Sequence, residues 1–312
     1  MERKKLFKHL QPVTSIVLGC DHFGETNPGI GQLDIYWQKG GNVLDTARSY
    51  GREANKLGTS ELVIGKWIKA NGNKADIVVI GKSGQRMLSL EGPNIDRKLL
   101  DMLKTEHEEE SQALGFEPDI WMLHRDMTSL DMDVLMDIAL QAKGSSLLGL
   151  SNFSTARMKQ AIRYADIEAS EIQGSLAYCT PEAWGDPSLW CLTDEDVTFY
   201  DEHELAYLCF SSQAKGLFYH LLDSTDPSQK AHDRFDCPVN RQRAQRLQNL
   251  SIRLGQSLET LMLSFIYSRG KGYGMPIAGS TKPSQIESST SSTFTMTESM
   301  IDYLLGREDD YE

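Results

Sequence analysis

The chain reads as a closed parallel (β/α)8 barrel, and three observations predict that fold. Short apolar, β-rich runs recur near 15–18, 41–45, 76–81, 119–123, 146–150, 171–176, 205–210 and 275–278, with helix-period segments between them. Such alternation implies parallel strands joined by helical crossovers. No G-x-G-x-x-G follows the first run, where an open doubly wound sheet would carry its dinucleotide fingerprint. The 312 residues suit one barrel with insertions, so residues 1–312 are read as a single domain.

The elements follow in order. SIVL and GNVLD are the first two strands. TSELVIGKWIKA then places Leu62, Ile64, Trp67 and Ile68 close to helical spacing, with Thr59 or Ser60 as the expected N-cap. DIVVIG is the third strand, and IDRKLLDMLKTEHEEESQALG repeats apolar residues at Leu99, Met102 and Leu103 before stopping at Gly115. After DIWML, a helix is expected from a Ser129 cap to Gly144, and after SLLGL another from Ser154 or Thr155. EIQGSL and LAYLCF are strands six and seven, two helices broken near 254–257 fill 240–269, and MPIA closes the barrel. The long excursions at 177–204 and 219–240 are expected as loops at the C-terminal mouth, and the acidic tail 306–312 is expected to fray.

Composition narrows the function. Apolar content of 40% supports a sizeable core and 24% charged residues a soluble surface. A net charge of −12 repels phosphate backbones and anionic lipid, so neither nucleic acid nor membrane is an expected partner. The basic N-terminus lacks an apolar signal core, and no apolar stretch approaches the ~20 residues of a membrane span. The five cysteines show no C-x-x-C spacing and read as reduced thiols of a cytoplasmic protein. Oligomeric state is not readable from these features.

In such a barrel, residues at the C-terminal strand ends face the active site. Asp45 ends GNVLD, Lys82 ends DIVVIGK, His124 ends DIWMLH, and Tyr50 lies five residues beyond Asp45. Each has a plainer reading alone: a turn cap, a solvated lysine, a core histidine. Together they form a proton-delivery set. Reducing a carbonyl builds alkoxide charge on oxygen, and a tyrosine hydroxyl can supply the proton, although its ordinary pKa is about 10. An ammonium about 4 Å away, at an effective dielectric of about 20, favours the phenolate by about 4 kcal/mol before burial opposes it. Lys82 is expected in that role, Asp45 as its charge partner, and His124 as the donor that orients the carbonyl oxygen. No HxH or HExxH is present, so no metal is expected and the hydride source must be organic.

GNVLDTARSYG, VVIGKSG, WMLHRD, LGLSNFS, EIQGSLAY, FSSQAKGLF and PIAGSTKPSQIESS, in this order over residues 41–290, resemble the successive motifs of the aldo-keto reductase superfamily, in its bacterial type. The resemblance implies the same four catalytic roles and a nicotinamide cofactor, NADP(H) with NAD(H) also usable, extended across the barrel mouth. By motif match, Ser151, Asn152 and Gln173 would hold its carboxamide and Phe210 would stack on the ring, where many members carry Tyr. Ser211, Gln213 and Lys215 would lie near the pyrophosphate. Ser280, Thr281 and Lys282, before a helix expected to open at Pro283, are placed for a 2′-phosphate. Gln285 and Ser289 depart from the Arg and Asn of well-known members, which weakens the preference for NADP(H).

Asp21, His22 and Arg125 are the expected polar substrate contacts, and Trp184 and Trp190 the expected pocket walls, a combination suited to a sugar-like or hydroxylated carbonyl. The stretch from Tyr50 to Glu61 is longer than usual in the family and would reshape the rim. Two other classes compete: a cofactor-binding regulatory subunit of the same fold with little turnover, and a barrel hydrolase or lyase using Lys82 as a Schiff base.

Overall fold

The computed structural model describes residues 1–24, 27–51, 57–291 and 293–311. Eight strands close into a parallel barrel, each hydrogen-bonded to its neighbours in chain order. A short antiparallel pair, β1 (Arg3–Lys4) and β2 (Val13–Thr14), precedes them. The barrel strands are β3 (Val17–Gly19), β4 (Val43–Asp45), β5 (Val78–Ser83), β6 (Ile120–Leu123), β7 (Leu147–Ser151), β8 (Ala169–Gln173), β9 (Ala206–Phe210) and β10 (Gly274–Gly279). Strand β8 begins two residues before the run that predicts it and ends at Gln173, where the chain turns to bridge Cys191.

Between the strands lie α1 (Ile30–Gln38), α2 (Thr59–Asn71), α3 (Ile95–Leu114), α4 (Met132–Ala142) and α5 (Thr155–Ala161). The excursion after β8 holds the short α6 (Pro181–Trp184) and then α7 (Asp194–Glu202), which returns the chain to β9. After β9 come α8 (Leu217–Asp223), α9 (Gln229–Phe235), α10 (Pro238–Leu254) and α11 (Leu258–Tyr267), and after β10, α12 (Pro283–Ser289) and α13 (Glu298–Leu305). Both long excursions thus contain helices.

The helix ends correct several expectations. Gly58, in the left-handed region at φ 76°, starts α2 with no side-chain cap, so neither Thr59 nor Ser60 serves. Helix α4 starts after Asp131 rather than at Ser129. Ser154 does cap α5, accepting from the Arg157 N–H, and Gly115 and Gly255 end α3 and α10 as left-handed C-caps. The acidic tail expected to fray lies along α10: Tyr311 is buried against the Tyr303 ring, and Arg253 pairs with Asp310. Glu312 lies outside the described residues.

The barrel interior follows from the two-residue strand period. Val17, Val43, Val78, Ile80, Ile120, Met122, Ala169, Ala206, Leu208, Met275 and Ile277 fill it, and Leu6, Phe7 and Val13 of the N-terminal hairpin join the same cluster and plug one end. One step further along the same face, each strand reaches the open end. The inward positions there are Gly19, Asp45, Lys82, His124, Ser151, Glu171, Phe210 and Gly279. An apolar floor therefore carries a polar upper layer.

Candidate active site

That layer forms the base of a cavity of about 1120 Å³. Asp45, Tyr50 and His124 line it, as do Asp21, His22, Arg125 and Trp184 from the surrounding loops. Asp45, Lys82 and His124 arrive on neighbouring strands β4, β5 and β6, so strand spacing alone brings them together. Tyr50 sits in the turn after β4, where its N–H donates to the Ala47 carbonyl.

The Lys82 ammonium is fully buried and donates to Asp45 and, at 3.0 Å, to Glu171 Oε2. Its Nζ lies 5.0 Å from the centroid of the Tyr50 ring. The Tyr50 and His124 rings meet edge to face, with centroids 6.0 Å apart. Burial alone would push Lys82 down, but Asp45 and Glu171 outweigh it and hold the ammonium charged, above its usual value. Burial, and then the charge of Lys82, hold His124 well below the ordinary imidazole value, so it is neutral at pH 7 and can donate only through one nitrogen.

Tyr50 departs from expectation. Its hydroxyl is pushed well above 10, not below it. Burial is the largest cause; Lys82 opposes it, but Asp45 and Glu171 add to it. The ammonium that should favour phenolate is shared between two carboxylates. The residue missed from sequence is Glu171: it lies two positions before Gln173 on the same face of β8 and lines the cavity. Its signal was a charged side chain inside a strand segment that must be buried on both faces of a parallel barrel. Gln173 itself does not line the cavity and reaches Ser175 at 3.4 Å instead.

Asn152 stands at the cavity wall in the left-handed region, φ 64°. Its Nδ2 donates to the His124 carbonyl at 3.2 Å and to Ser151 Oγ at 2.9 Å, while its buried Oδ1 has no hydrogen-bond partner in the protein. Ser151 is wholly buried behind it. Phe210 lines the cavity with the Trp184 ring edge-on at 5.8 Å. Beyond it Ser211, Ala214 and Lys215 all take positive φ, an unusual density of strained backbone for non-glycine residues. Ser211, Gln213 and Lys215 line the cavity, and Gln213 donates to Ser289 at 2.9 Å, which ties this loop to α12.

At the far end Gln285 and Ser289 line the cavity, and Ser280 donates to Gln285 and accepts from the Lys282 N–H. Thr281 and Lys282 are exposed at the rim and are not among the lining residues.

The substrate-facing residues are paired. His22 Nε2 is 3.5 Å from Asp21, and Arg125 Nη2 is 3.3 Å from Asp186, leaving the buried Arg125 Nη1 without a partner. Trp184 lies 3.9 Å under the Arg234 guanidinium. Trp190 does not wall the pocket; its Nε1 donates to both Asp196 oxygens at 3.0 Å. Much of the longer loop after Tyr50, residues 52–56, lies outside the described residues. Among the described residues no group of three or more His, Cys, Asp and Glu is arranged to hold a metal, and no helix is long and apolar enough to cross a membrane.

Comparison with known proteins agrees with this fold. No curated protein matches the chain. Among solved structures, a thermostable aldo-keto reductase, Tm1743, crystallised with the inhibitor epalrestat, superposes with a TM-score of 0.71 at 17% identity, covering 98% of this chain and 99% of that one. At that identity the likeness speaks for the fold. The model of the aldo/keto reductase family matches residues 30–306, and the chain therefore belongs to that family of carbonyl oxidoreductases.

Proposed function

We propose that the protein is an NADP(H)-dependent oxidoreductase, able to use NAD(H) as well, that interconverts a hydroxylated, sugar-like carbonyl and its alcohol. The observation that carries this reading is the Lys82 ammonium, hydrogen-bonded to Asp45 and buried directly beneath the Tyr50 ring, with neutral His124 edge-on to that ring at the base of the cavity. A bound nicotinamide would supply the hydride and accept it in the reverse direction.

The residues present fit such a group. The orphaned Asn152 Oδ1 needs a donor of the kind a carboxamide amine offers. Phe210 offers a flat face, and the cavity exceeds the roughly 300–1,000 Å³ of a drug-sized site, enough for a dinucleotide beside a small substrate. Ser211, Gln213 and Lys215 stand where the pyrophosphate would run, and Ser280, Thr281, Lys282 and Gln285 around the adenosine end.

His124 donates a hydrogen bond to the carbonyl oxygen, and the Tyr50 hydroxyl gives its proton to that oxygen as negative charge develops there. In oxidation the tyrosinate takes the proton back. A tyrosine pushed upward by burial keeps its proton at neutral pH, which suits an acid that must hold the proton until an alkoxide forms. The partnerless Arg125 Nη1, the Asp21–His22 pair and Trp184 favour a substrate with hydroxyl groups and an apolar ring face.

The test combines tryptophan-fluorescence titration with NADPH and a carbonyl panel that includes sugars. Tyr50→Phe is expected to lose at least about a hundredfold in kcat while binding NADPH as the wild type does. Retained turnover sinks the mechanism. Wild-type binding without turnover of any carbonyl favours a regulatory subunit of the same fold.

A further inference from the structure

Cys179 and Cys191 stand at the two ends of the segment that carries Trp184, Asp186 and Leu189 to the cavity. Their sulfurs are 3.0 Å apart at a separation of 12 residues in the chain. Both residues are half-buried, whereas Cys20 and Cys209 are shut away from solvent. A disulfide brings its sulfurs to about 2.05 Å, so this pair has about 1 Å to close. Cys191 is also held in place by the barrel. It bridges Gln173 at the end of β8, where the Gln173 N–H donates to the Trp190 carbonyl at 3.1 Å and the Leu192 N–H to the Gln173 carbonyl at 2.8 Å. The fold itself presents one sulfur to the other.

The two thiols are not equivalent. The Trp184 Nε1–H donates to Cys179 Sγ at 2.8 Å, and the Arg234 guanidinium stacks 3.9 Å over the same indole. With Cys179 accepting, the hydrogen bond between the sulfurs runs from the Cys191 S–H. That bond holds the Cys179 thiol below its ordinary range; burial opposes the effect, and Trp184 and Arg234 reinforce it. Cys191 is pushed the other way by the same bond, then by burial and by the negative charge of Cys179, Glu182 and Asp196. The thiolate is the nucleophile in thiol chemistry. Cys179 is therefore the sulfur that attacks first, and Cys191 keeps its proton for a second step.

We propose that Cys179 and Cys191 form a redox modification site, at which a hydroperoxide converts the pair to a reversible disulfide in the wall of the cavity. The Cys179 thiolate attacks one peroxide oxygen, the O–O bond breaks, and the departing hydroxide takes a proton and leaves as water. Cys179 is now a sulfenic acid, oxidised by two electrons at the expense of the peroxide. The Cys191 sulfur then displaces hydroxide from it: the S–S bond forms, the S–O bond breaks, and the Cys191 proton leaves in a second water. Two thiols and one hydrogen peroxide become one disulfide and two waters. A disulfide sulfur is a poorer acceptor than a thiolate, so the Trp184 Nε1–H loses its partner. That ring is edge-on to Phe210 at 5.8 Å and to Phe235 at 6.0 Å, so oxidation acts on the cavity wall through Trp184. In a reducing compartment a bond of this kind is transient and redox-sensing.

The experiment treats the native full chain with hydrogen peroxide, quenches it, and counts free thiols after unfolding, before and after dithiothreitol. The wild type is expected to lose two of its five thiols and to regain both on reduction, with Cys179 and Cys191 recovered as one linked peptide pair. Cys191→Ser is expected to form no disulfide and to hold Cys179 as a sulfenic acid that dimedone labels. Cys179→Ser is expected to keep its remaining thiols at the same dose. A wild type that keeps all its thiols under excess peroxide overturns the inference. So does a loss that dithiothreitol does not reverse, a bridge from either residue to another cysteine, or loss of two thiols in either serine variant. Oxidised to completion, the wild type is expected to change its tryptophan fluorescence, and Trp184→Phe to lose most of that change; an equal change in both overturns the action on the cavity wall. None of these readouts needs turnover, so their failure is separate from failure of the function proposed above.

Discussion

His124 shows how a single buried group links the site to stability. Its native value is depressed by burial, then by Lys82 and Arg125, while in the unfolded chain it titrates near its ordinary value of about 6.5. Below that pH the unfolded chain binds a proton that the native protein does not. Native stability is therefore whole above that value and falls with acidification, by about 1.4 kcal/mol per pH unit from this residue. Urea unfolding from about pH 7 to about pH 5 should show a shallower loss in His124→Gln than in the wild type; parallel curves would mean that His124 is protonated in the fold. The same arithmetic of burial explains Tyr50. A lysine beneath a tyrosine favours phenolate only in proportion to the charge it has left to give, and Glu171 takes part of the charge of Lys82.

At the scale of elements, the loop from Gly174 to Thr193 carries Trp184, Asp186 and Leu189 to the cavity and is held at its far end by one residue. Asp196 completes a capping box at the start of α7, with Thr193 donating to it at 2.8 Å and its own N–H returning to Thr193 at 3.2 Å. It also accepts from Trp190 Nε1 and from the Thr155 hydroxyl of α5. Asp196→Ala removes the N3 half of the capping box and leaves buried donors unsatisfied, and should cost about 2–4 kcal/mol, read as a lower urea midpoint. A change within about 0.5 kcal/mol, the range of ordinary surface substitutions, would show that the loop is anchored elsewhere. Near its start the Cys179 and Cys191 sulfurs are 3.0 Å apart, and Trp184 Nε1 rests on Cys179 at 2.8 Å, so this loop packs on itself as well as on α7.

For the whole molecule, the two ends of the barrel are specialised. The N-terminal hairpin places Leu6, Phe7 and Val13 against the interior strands and seals one end, while the polar layer stands at the other. Phe7→Ala should destabilise the fold by about 3–5 kcal/mol and leave the affinity for NADPH unchanged, because apolar layers of Val, Ile and Leu separate it from the cavity. An equal loss in binding and stability would show that the plug supports the site directly. The division also explains how a fold can be shared with a structure at 17% identity: closure of eight parallel strands needs apolar bulk inside, not particular residues.

The strand count, the closed parallel topology and the position of Asp45, Lys82 and His124 were determined by the sequence alone. Periodicity is local, and a residue that ends an apolar run must emerge at the strand's C-terminal end. Helix ends that rest on glycine at positive φ, such as Gly115 and Gly255, were legible for the same reason. The start of α2 was not, because Gly58 replaces the polar cap that the following Thr59 and Ser60 suggested. The β1–β2 hairpin was hidden by its two-residue strands, too short to show a period.

Tertiary structure alone decided the rest. Glu171 meets Lys82 across the barrel at a separation of 89 residues in the chain, Gln173 reaches Ser175 instead of the cavity, and Trp190 spends its donor on Asp196. The reason is physical: strand period says which face a side chain takes, but only closure of the barrel sets which strand ends face one another, and buried charges act on whatever closure brings within reach.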